Sequence, residues 1–252
     1  MMYLSLDERK LVAEETVKHV NGRVPVFVHV GAWNTRDTVE LARHAEKIGA
    51  DGIGVVTPSF YKLRDRELVD FYISVAKSVS DDFPVNMYGI KQNAVNDISP
   101  EICEAVVKEC PNVVGAKYSY SDMSMMQKLM LVNNGDFSVL AGPDKFFQIV
   151  YAAGGDGVVS GNSMCIPEHY HAIYEALKAG DYDLARKLQR RTNMLNDIMG
   201  KINNIAAYKT ILKDEGIIAS SMMRRPMENL LPEEEKALLE QMKQKNYRKV
   251  VL

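Results

Sequence analysis

The stretch Val113-Val114-Gly115-Ala116-Lys117 decides how the chain is read. Four small or apolar residues in succession have the composition of a parallel strand covered on both faces, and a lysine ends the run. An ammonium group in such a place is costly unless it is paired or neutralised. The carboxyl end of a strand is also where an α/β barrel presents its reactive groups. Desolvation there lowers the pKa of a lysine and leaves a free amine that can attack a carbonyl carbon. For a solitary lysine the plainer reading is a stem lying on apolar surface with its charge in water. The order of the remaining elements favours the reactive reading.

Working outward, apolar runs alternate with helix-length segments. Val24–Val30 reads as a strand and Thr35–Ile48 as the amphipathic helix after it. The strand Gly52–Val56 is followed by a helix near Asp65–Val79, and the strand Val85–Tyr88 by a helix over Pro100–Cys110. The strand ending in Lys117 precedes a helix over Asp122–Val132. Ser138–Ala141 and Gly157–Ser160 are two further strands, with helices over Asp144–Ala153 and Pro167–Ala179 behind them. Such alternation implies βαβ units and a parallel sheet. A leading helix over Ser5–Val20 carries capping-box spacing at Ser5 and Glu8. After Gly180 only helices are predicted, over Tyr182–Asn203, Ala206–Glu215 and Pro232–Lys245. The expected architecture is α/β, an incomplete (β/α)8 TIM-type barrel of about six βα units over residues 1–180, with a helical C-terminal extension over residues 181–252.

Composition narrows the function classes. Hydrophobic residues make up 46% and charged residues 25% of the 252, as in ordinary globular domains. A net charge of −2 offers no basic field for nucleic acid or an anionic membrane. No apolar run reaches the roughly 20 residues of a membrane span. The start, Met1-Met2-Tyr3-Leu4-Ser5-Leu6-Asp7-Glu8-Arg9, lacks the pattern of a secretory signal. Three cysteines make a poor disulfide framework, with Cys103 and Cys110 read as core packing, and a reducing cytoplasm is the expected compartment.

Tyr88 after an apolar strand, Gly115-Ala116-Lys117, Gly142-Pro143-Asp144 and Gly154-Gly155-Asp156-Gly157-Val158-Val159-Ser160 form an ordered series. That series resembles the dihydrodipicolinate synthase/N-acetylneuraminate lyase family of class I aldolases. His29-Val30-Gly31 with Asn34-Thr35, and Thr57-Pro58-Ser59-Phe60-Tyr61, extend the resemblance and lean toward its lyase branch. The segments Ala176–Asp181 and Ala185–Gln189, Lys209 and Arg225-Pro226 carry it to the C-terminal region. The resemblance implies a barrel in which Lys117 forms a Schiff base with pyruvate or another 2-keto acid while Tyr88 moves protons. A protonated imine is an electron sink, so a neighbouring carbon–carbon bond can break or form through an enamine. For Tyr88 the plain alternative is an amphipathic strand-end residue without chemistry.

The chain also departs from the family pattern. The Gly-x-x-Gly-Glu loop that cradles the keto acid's carboxylate has no counterpart, and the chain begins just after its place, so two barrel units and that anion cradle are expected to be missing. The usual Tyr-Asn-x-Pro is here Tyr88-Gly89-Ile90-Lys91, Asn93 stands where the synthases place an arginine, and the tyrosine usual after Thr-Pro aligns with Phe60 beside Tyr61. Ser119 matches the family's hydroxyl two residues after the lysine, and Asp144 matches a sugar-side polar position of the lyase branch. Ser119, Asp144, Gly142, Ser160 and Asn93 are therefore the candidate substrate-binding residues, with Lys117 and Tyr88 catalytic.

Other features have plainer readings. His169 and His171 are two apart on a predicted helix and face different ways, so no metal site is expected. The glycines around Asp156 suit a tight turn. Met123, Met125, Met126 and Met130 suit helix packing, Arg224-Arg225 a solvated turn rather than an anion site, and Lys91 a loop after its strand. The expected activity is reversible aldol cleavage of a 2-keto acid through an imine at Lys117, impaired by the missing loop, with no cofactor. Its partners would be the keto acid, an aldehyde or sugar, and further copies of the chain in a homo-oligomer joined near the open edge, with neither nucleic acid nor membrane. The competing reading is a non-catalytic family member that serves binding or assembly, and a shortened form of a full enzyme is a third.

Overall fold

The structure, a computed structural model, describes residues 3–201 and 204–250. The chain forms two compact units. One runs through Pro143 and takes in Ala153–Asp156; the other comprises Asp144–Ala152 and the chain from Gly157 onward. The residue 180 at which the sequence reading divides the chain lies within the second of these units.

The first unit opens with α1 (Leu6–Val20), whose N-terminus carries the capping box read from the sequence. Ser5 Oγ accepts from Glu8 N at 3.2 Å, and the Glu8 carboxylate accepts from Ser5 N at 2.8 Å. Strand β1 (Phe27–His29), helix α2 (Thr35–Lys47), β2 (Gly52–Val56), α3 (Asp65–Ala76) and β3 (Val85–Gly89) follow. Then come α4 (Lys91–Ala94), α5 (Pro100–Glu109), β4 (Val113–Tyr118), α6 (Met123–Leu129) and β5 (Ser138–Ala141). Asn34 and Ser99 cap α2 and α5 through their side-chain oxygens, which accept from Asp37 N and Ile102 N. Two expectations are corrected here. The first strand is only three residues long, and Val24 lies 60% exposed ahead of it. Lys91 sits on the single helical turn α4 rather than in a loop, exposed as expected, with its ammonium 5.4 Å from the centroid of the Tyr120 ring.

Strands β1 to β5 are parallel and lie side by side in chain order. Register sorts their side chains onto two faces. Ile53, Val85 and Val113 pair across one face, as do Val55, Met87, Ala116 and Val139. All of these are buried, against helices carrying Leu41, Leu68, Val75, Ile102 and Val106 in the same core. The inner face holds one layer of His29, Gly54, Asn86, Gly115 and Ser138, and above it a layer of Val56, Tyr88, Lys117 and Leu140.

A bulge sets that arrangement. Val85 pairs with Val113, but Asn86 pairs with Gly115, so Val114 is an extra residue and lies 40% exposed. Strict alternation from the buried Val113 would turn Lys117 toward the helices. The one-residue slip brings it to the inner face opposite Tyr88.

Part of the free edge of β1 is covered by a side chain. Arg9 of α1 donates to His29 O and Gly31 O, each at 2.9 Å, and so occupies two carbonyls that face away from β2. Those are groups that a further strand would satisfy. Helix α1 also makes polar contacts, Lys10 with Glu40 and Glu14 with His44, and buries Ala13 while Leu11 and Val12 stay exposed.

The second unit holds α7 (Phe147–Ala152), the short strand β6 (Gly157–Val158), α8 (Pro167–Lys178), α9 (Tyr182–Met199), α10 (Asn204–Asp214) and α11 (Pro232–Gln244). Ile173, Leu177, Leu188, Leu195, Met199, Ile211, Leu238 and Met242 form its apolar core. The sixth strand ends at Val158, so Ser160 lies beyond it rather than inside it. Asp144 belongs to a 3-10 turn (Asp144–Phe146) ahead of α7, not to the helix itself. His169 is buried and its Nε2 lies 2.7 Å from Tyr247 O, which fastens the C-terminal segment to α8. Among the described residues there are six strands, and no helix is long and apolar enough to cross a membrane.

Candidate active site

Lys117 and Tyr88 are register partners on adjacent strands, with their side chains on the same face. The Lys117 ammonium donates to Tyr88 Oη at 3.3 Å and lies 4.4 Å from the centre of the tyrosine ring. Ser119 Oγ donates to the same phenolic oxygen at 3.4 Å. With two donors on that oxygen, the hydroxyl hydrogen of Tyr88 is free to point elsewhere. All three side chains are half-buried.

Backbone contacts fix the triplet. Ser119 N donates to Gly89 O and Gly142 N to Tyr118 O, each at 2.8 Å. Gln92 of α4 donates through Nε2 to Ser119 O at 2.8 Å. A Cβ at Gly142 would lie 1.8 Å from Ser119 Oγ, so only glycine lets the two strand ends approach. On the opposite face Tyr118 donates to Asp97 Oδ2 at 2.9 Å, and burial raises the pKa of both groups. Asn93 is exposed on α4, and its backbone N–H bonds Ile90 O. No contact joins its side chain to Lys117 among the described residues.

Asp144 and Ser160 meet in the second unit, around Tyr170. Tyr170 donates to Asp144 Oδ1 at 2.9 Å, and the Ser160 side chain lies near the same phenol. Asn162 Nδ2 donates to Asp144 Oδ2 at 2.8 Å, and Asn196 Nδ2 donates to Tyr170 Oη at 2.9 Å. Burial, first of all, and the Asp144 charge push the Tyr170 phenol well above its ordinary range, and the same two causes push Tyr208 up to about 12. Both therefore act as hydroxyl donors at neutral pH. Sequence reasoning found Asp144 and Ser160 but missed Tyr170, Asn162 and Asn196, which come from separate elements and share no local motif.

It also left His29 without a role, although a histidine in an otherwise apolar strand is the same kind of signal as Lys117. Both ring nitrogens of His29 are shielded from solvent and lack any hydrogen-bond partner, even though other atoms leave the residue half-buried overall. Its ring meets that of Tyr88 edge to face, centroids 6.0 Å apart. Burial, with the Arg9 and Lys117 charges nearby, lowers its pKa to about 3, so the imidazole is neutral.

Parallel strands alternating with helices, with a lysine–tyrosine pair at adjoining strand ends, are those of a TIM-type (β/α) barrel. Comparisons with known proteins make this specific. The Dihydrodipicolinate synthetase family matches residues 1–245, and the chain belongs to that family. The 4-hydroxy-tetrahydrodipicolinate synthase of Brucella abortus is 34% identical over 224 residues, 89% of this chain and 75% of that protein. The wild-type sialic acid aldolase of Ruminococcus gnavus superposes with a TM-score of 0.91 at 27% identity, covering 97% of this chain and 81% of that one. YagE, a prophage protein of E. coli solved in complex with pyruvate, superposes with a TM-score of 0.90 at 25% identity, covering 97% of this chain and 83% of that one. Both the synthase and the aldolase branches are thus represented among its relatives.

Proposed function

We propose that the protein is an aldolase or lyase that holds a 2-keto acid, pyruvate or a close analogue, as an imine on Lys117. The observation that carries this reading is the Lys117 Nζ to Tyr88 Oη contact at 3.3 Å, with Ser119 Oγ on the same oxygen. The free amine adds to the C2 carbonyl, and the resulting carbinolamine loses water as Tyr88 gives its proton to the departing hydroxyl. Ser119 Oγ, hydrogen-bonded to the Tyr88 oxygen, steadies the phenolate that this leaves. The protonated imine then draws the electrons of the adjacent carbon–carbon bond into an enamine. Tyr88, as phenolate, takes the proton of the aldol hydroxyl as an aldehyde leaves; condensation runs the same steps backward. Asp144 and Ser160 are assigned to substrate hydroxyls by their matched family positions, and Gly142 to keeping Ser119 in place. Asn93, which aligns with an arginine of the synthases, is kept as a weaker substrate-side assignment.

The test is borohydride trapping with pyruvate, read by mass spectrometry. Wild-type protein should gain one reduced adduct, Lys117→Ala should gain none, and Lys91→Ala should behave as wild type. Full trapping in Lys117→Ala would refute the assignment, and no trapping in wild type would favour a non-catalytic binding role. The same reading makes the chain a homo-oligomer, supported by the exposed aromatic side chains of Phe27, Phe60 and Tyr61. Light scattering that finds only monomer at micromolar concentration would remove that part.

A further inference from the structure

We propose that His29 receives the carboxylate of the 2-keto acid, an inference that rests on Lys117 being the imine-forming group. His29 carries the one polar side chain of β1 and sits on the inner face, in the layer directly below Tyr88 and Lys117. Two residues along a strand span about 7 Å, and the edge-to-face contact with Tyr88 shows the imidazole reaching toward the upper layer.

Three observations point to a ligand rather than to simple packing. Buried polar atoms in native proteins almost always have partners, and an orphaned pair on one ring calls for an explanation. Here Nδ1 and Nε2 are both shielded and both unpaired. The neighbouring inner-face position, paired in register with His29, is Gly54, where a Cβ would meet no atom within 4 Å. The same layer continues through Asn86 and Ser138, so that space is bordered by polar side chains.

Charge supplies the third. The side-chain charges that act on the imidazole are the cations Arg9 and Lys117, with no carboxylate among them. The Arg9 guanidinium bonds two backbone carbonyls and has no ion pair among the described residues, so its charge is uncompensated. A neutral imidazole under the influence of two cations is a poor site for a proton and a good one for an anion. Its N–H donates to a carboxylate oxygen, the second nitrogen remains an acceptor, and both cations favour the arriving negative charge. In a 2-keto acid the carboxylate is bonded directly to the carbon that Lys117 attacks. Anchoring it on His29 would fix that carbon relative to the amine. His29 is on this view a binding and positioning residue, and it takes no part in bond making.

The experiment uses the full chain and measures the pyruvate concentration that gives half-maximal borohydride trapping, with acetaldehyde as a carbonyl probe that lacks a carboxylate. His29→Leu removes the donor and keeps apolar bulk; His29→Gln restores an N–H donor. His29→Leu is expected to raise the half-saturating pyruvate concentration by about tenfold or more, as suits loss of a hydrogen bond to a charged group. The adduct at saturation should still form on Lys117, and acetaldehyde trapping should not change. His29→Gln should recover most of the loss. Removing an unpaired buried polar group does not weaken the core, so thermal melting of His29→Leu should match or exceed wild type. Should that variant nonetheless fail to fold, His29→Phe supplies the same comparison. Equal loss for pyruvate and acetaldehyde, or an unchanged half-saturation for pyruvate, would overturn the assignment. Absence of pyruvate trapping in wild type would instead overturn the Lys117 reading, and this inference with it.

Discussion

The two faces of the sheet along β1 to β5 are built on opposite principles. The face toward the helices is apolar and dry, with Ile53, Val55, Val85, Met87, Ala116 and Val139 all at 0% exposure. The inner face holds His29, Gly54, Asn86, Tyr88, Lys117 and Ser138, with Val56 and Leu140 among them. Burial of apolar area on the first face stabilises the unit by roughly 25 cal/mol per Å². The second face contributes little of that and carries the groups capable of chemistry. Stability and reactivity are thus separated by the pleat, within the same few strands.

The sharpest way to break this separation is to put a charge on the wrong face. Ala116 pairs with Met87 and Val139 on the helix face at 0% exposure. Ala116→Lys sets an unpaired ammonium in that core, which costs about 3–5 kcal/mol, a large share of the stability of a domain this size. The expected outcome is a protein that unfolds at much lower urea, or not a folded one at all. A variant that melts normally would show that the helix face tolerates charge and that the two faces do not differ in this way. Deleting Val114, by contrast, removes the bulge while Val113, Gly115, Ala116 and Lys117 keep their partners on β3, so borohydride trapping on Lys117 should survive.

That bulge is also where sequence reading stopped. The alternation of strands and helices was legible because parallel strands covered on both faces read as continuous apolar runs, and Ser138–Ala141 agrees with β5 at both ends. Lys117 and Tyr88 were legible because polar groups at the ends of such runs need a reason. The bulge was not, since Val113, Val114, Gly115 and Ala116 suit either face equally well. The unpaired ring of His29 and the cluster of Tyr170 with Asp144, Asn162, Ser160 and Asn196 were illegible for a different reason. They depend on which distant side chains arrive or fail to arrive at one point, and no local pattern encodes that.

Two neighbouring residues sharpen the contrast at smaller scale. Met87 points to the helix face at 0% exposure, and truncation there leaves a cavity in close-packed surroundings. Met87→Ala should cost about 2–5 kcal/mol in urea unfolding. Its adduct with pyruvate should still form at Lys117 under conditions where the variant remains folded, because nothing on the inner face has changed.

Asn86, one residue earlier, lies half-buried on the inner face between Gly54 and Gly115 in register. Its Oδ1 would lie 2.9 Å from a Cβ at Gly115, so the amide fills space that glycine leaves open. Asn86→Ala removes no buried apolar contact, and its effect on unfolding should stay within about 1 kcal/mol. What should change is the polarity of the layer beside His29, seen as a modest rise in the pyruvate concentration needed for half-maximal trapping. The decisive comparison is the pair of variants measured side by side. If Asn86→Ala destabilises as strongly as Met87→Ala, the inner face is part of the stabilising core and the division of labour between the two faces fails. If it leaves stability near wild type, the pleat alone separates a residue that holds the sheet together from one that lines its reactive side.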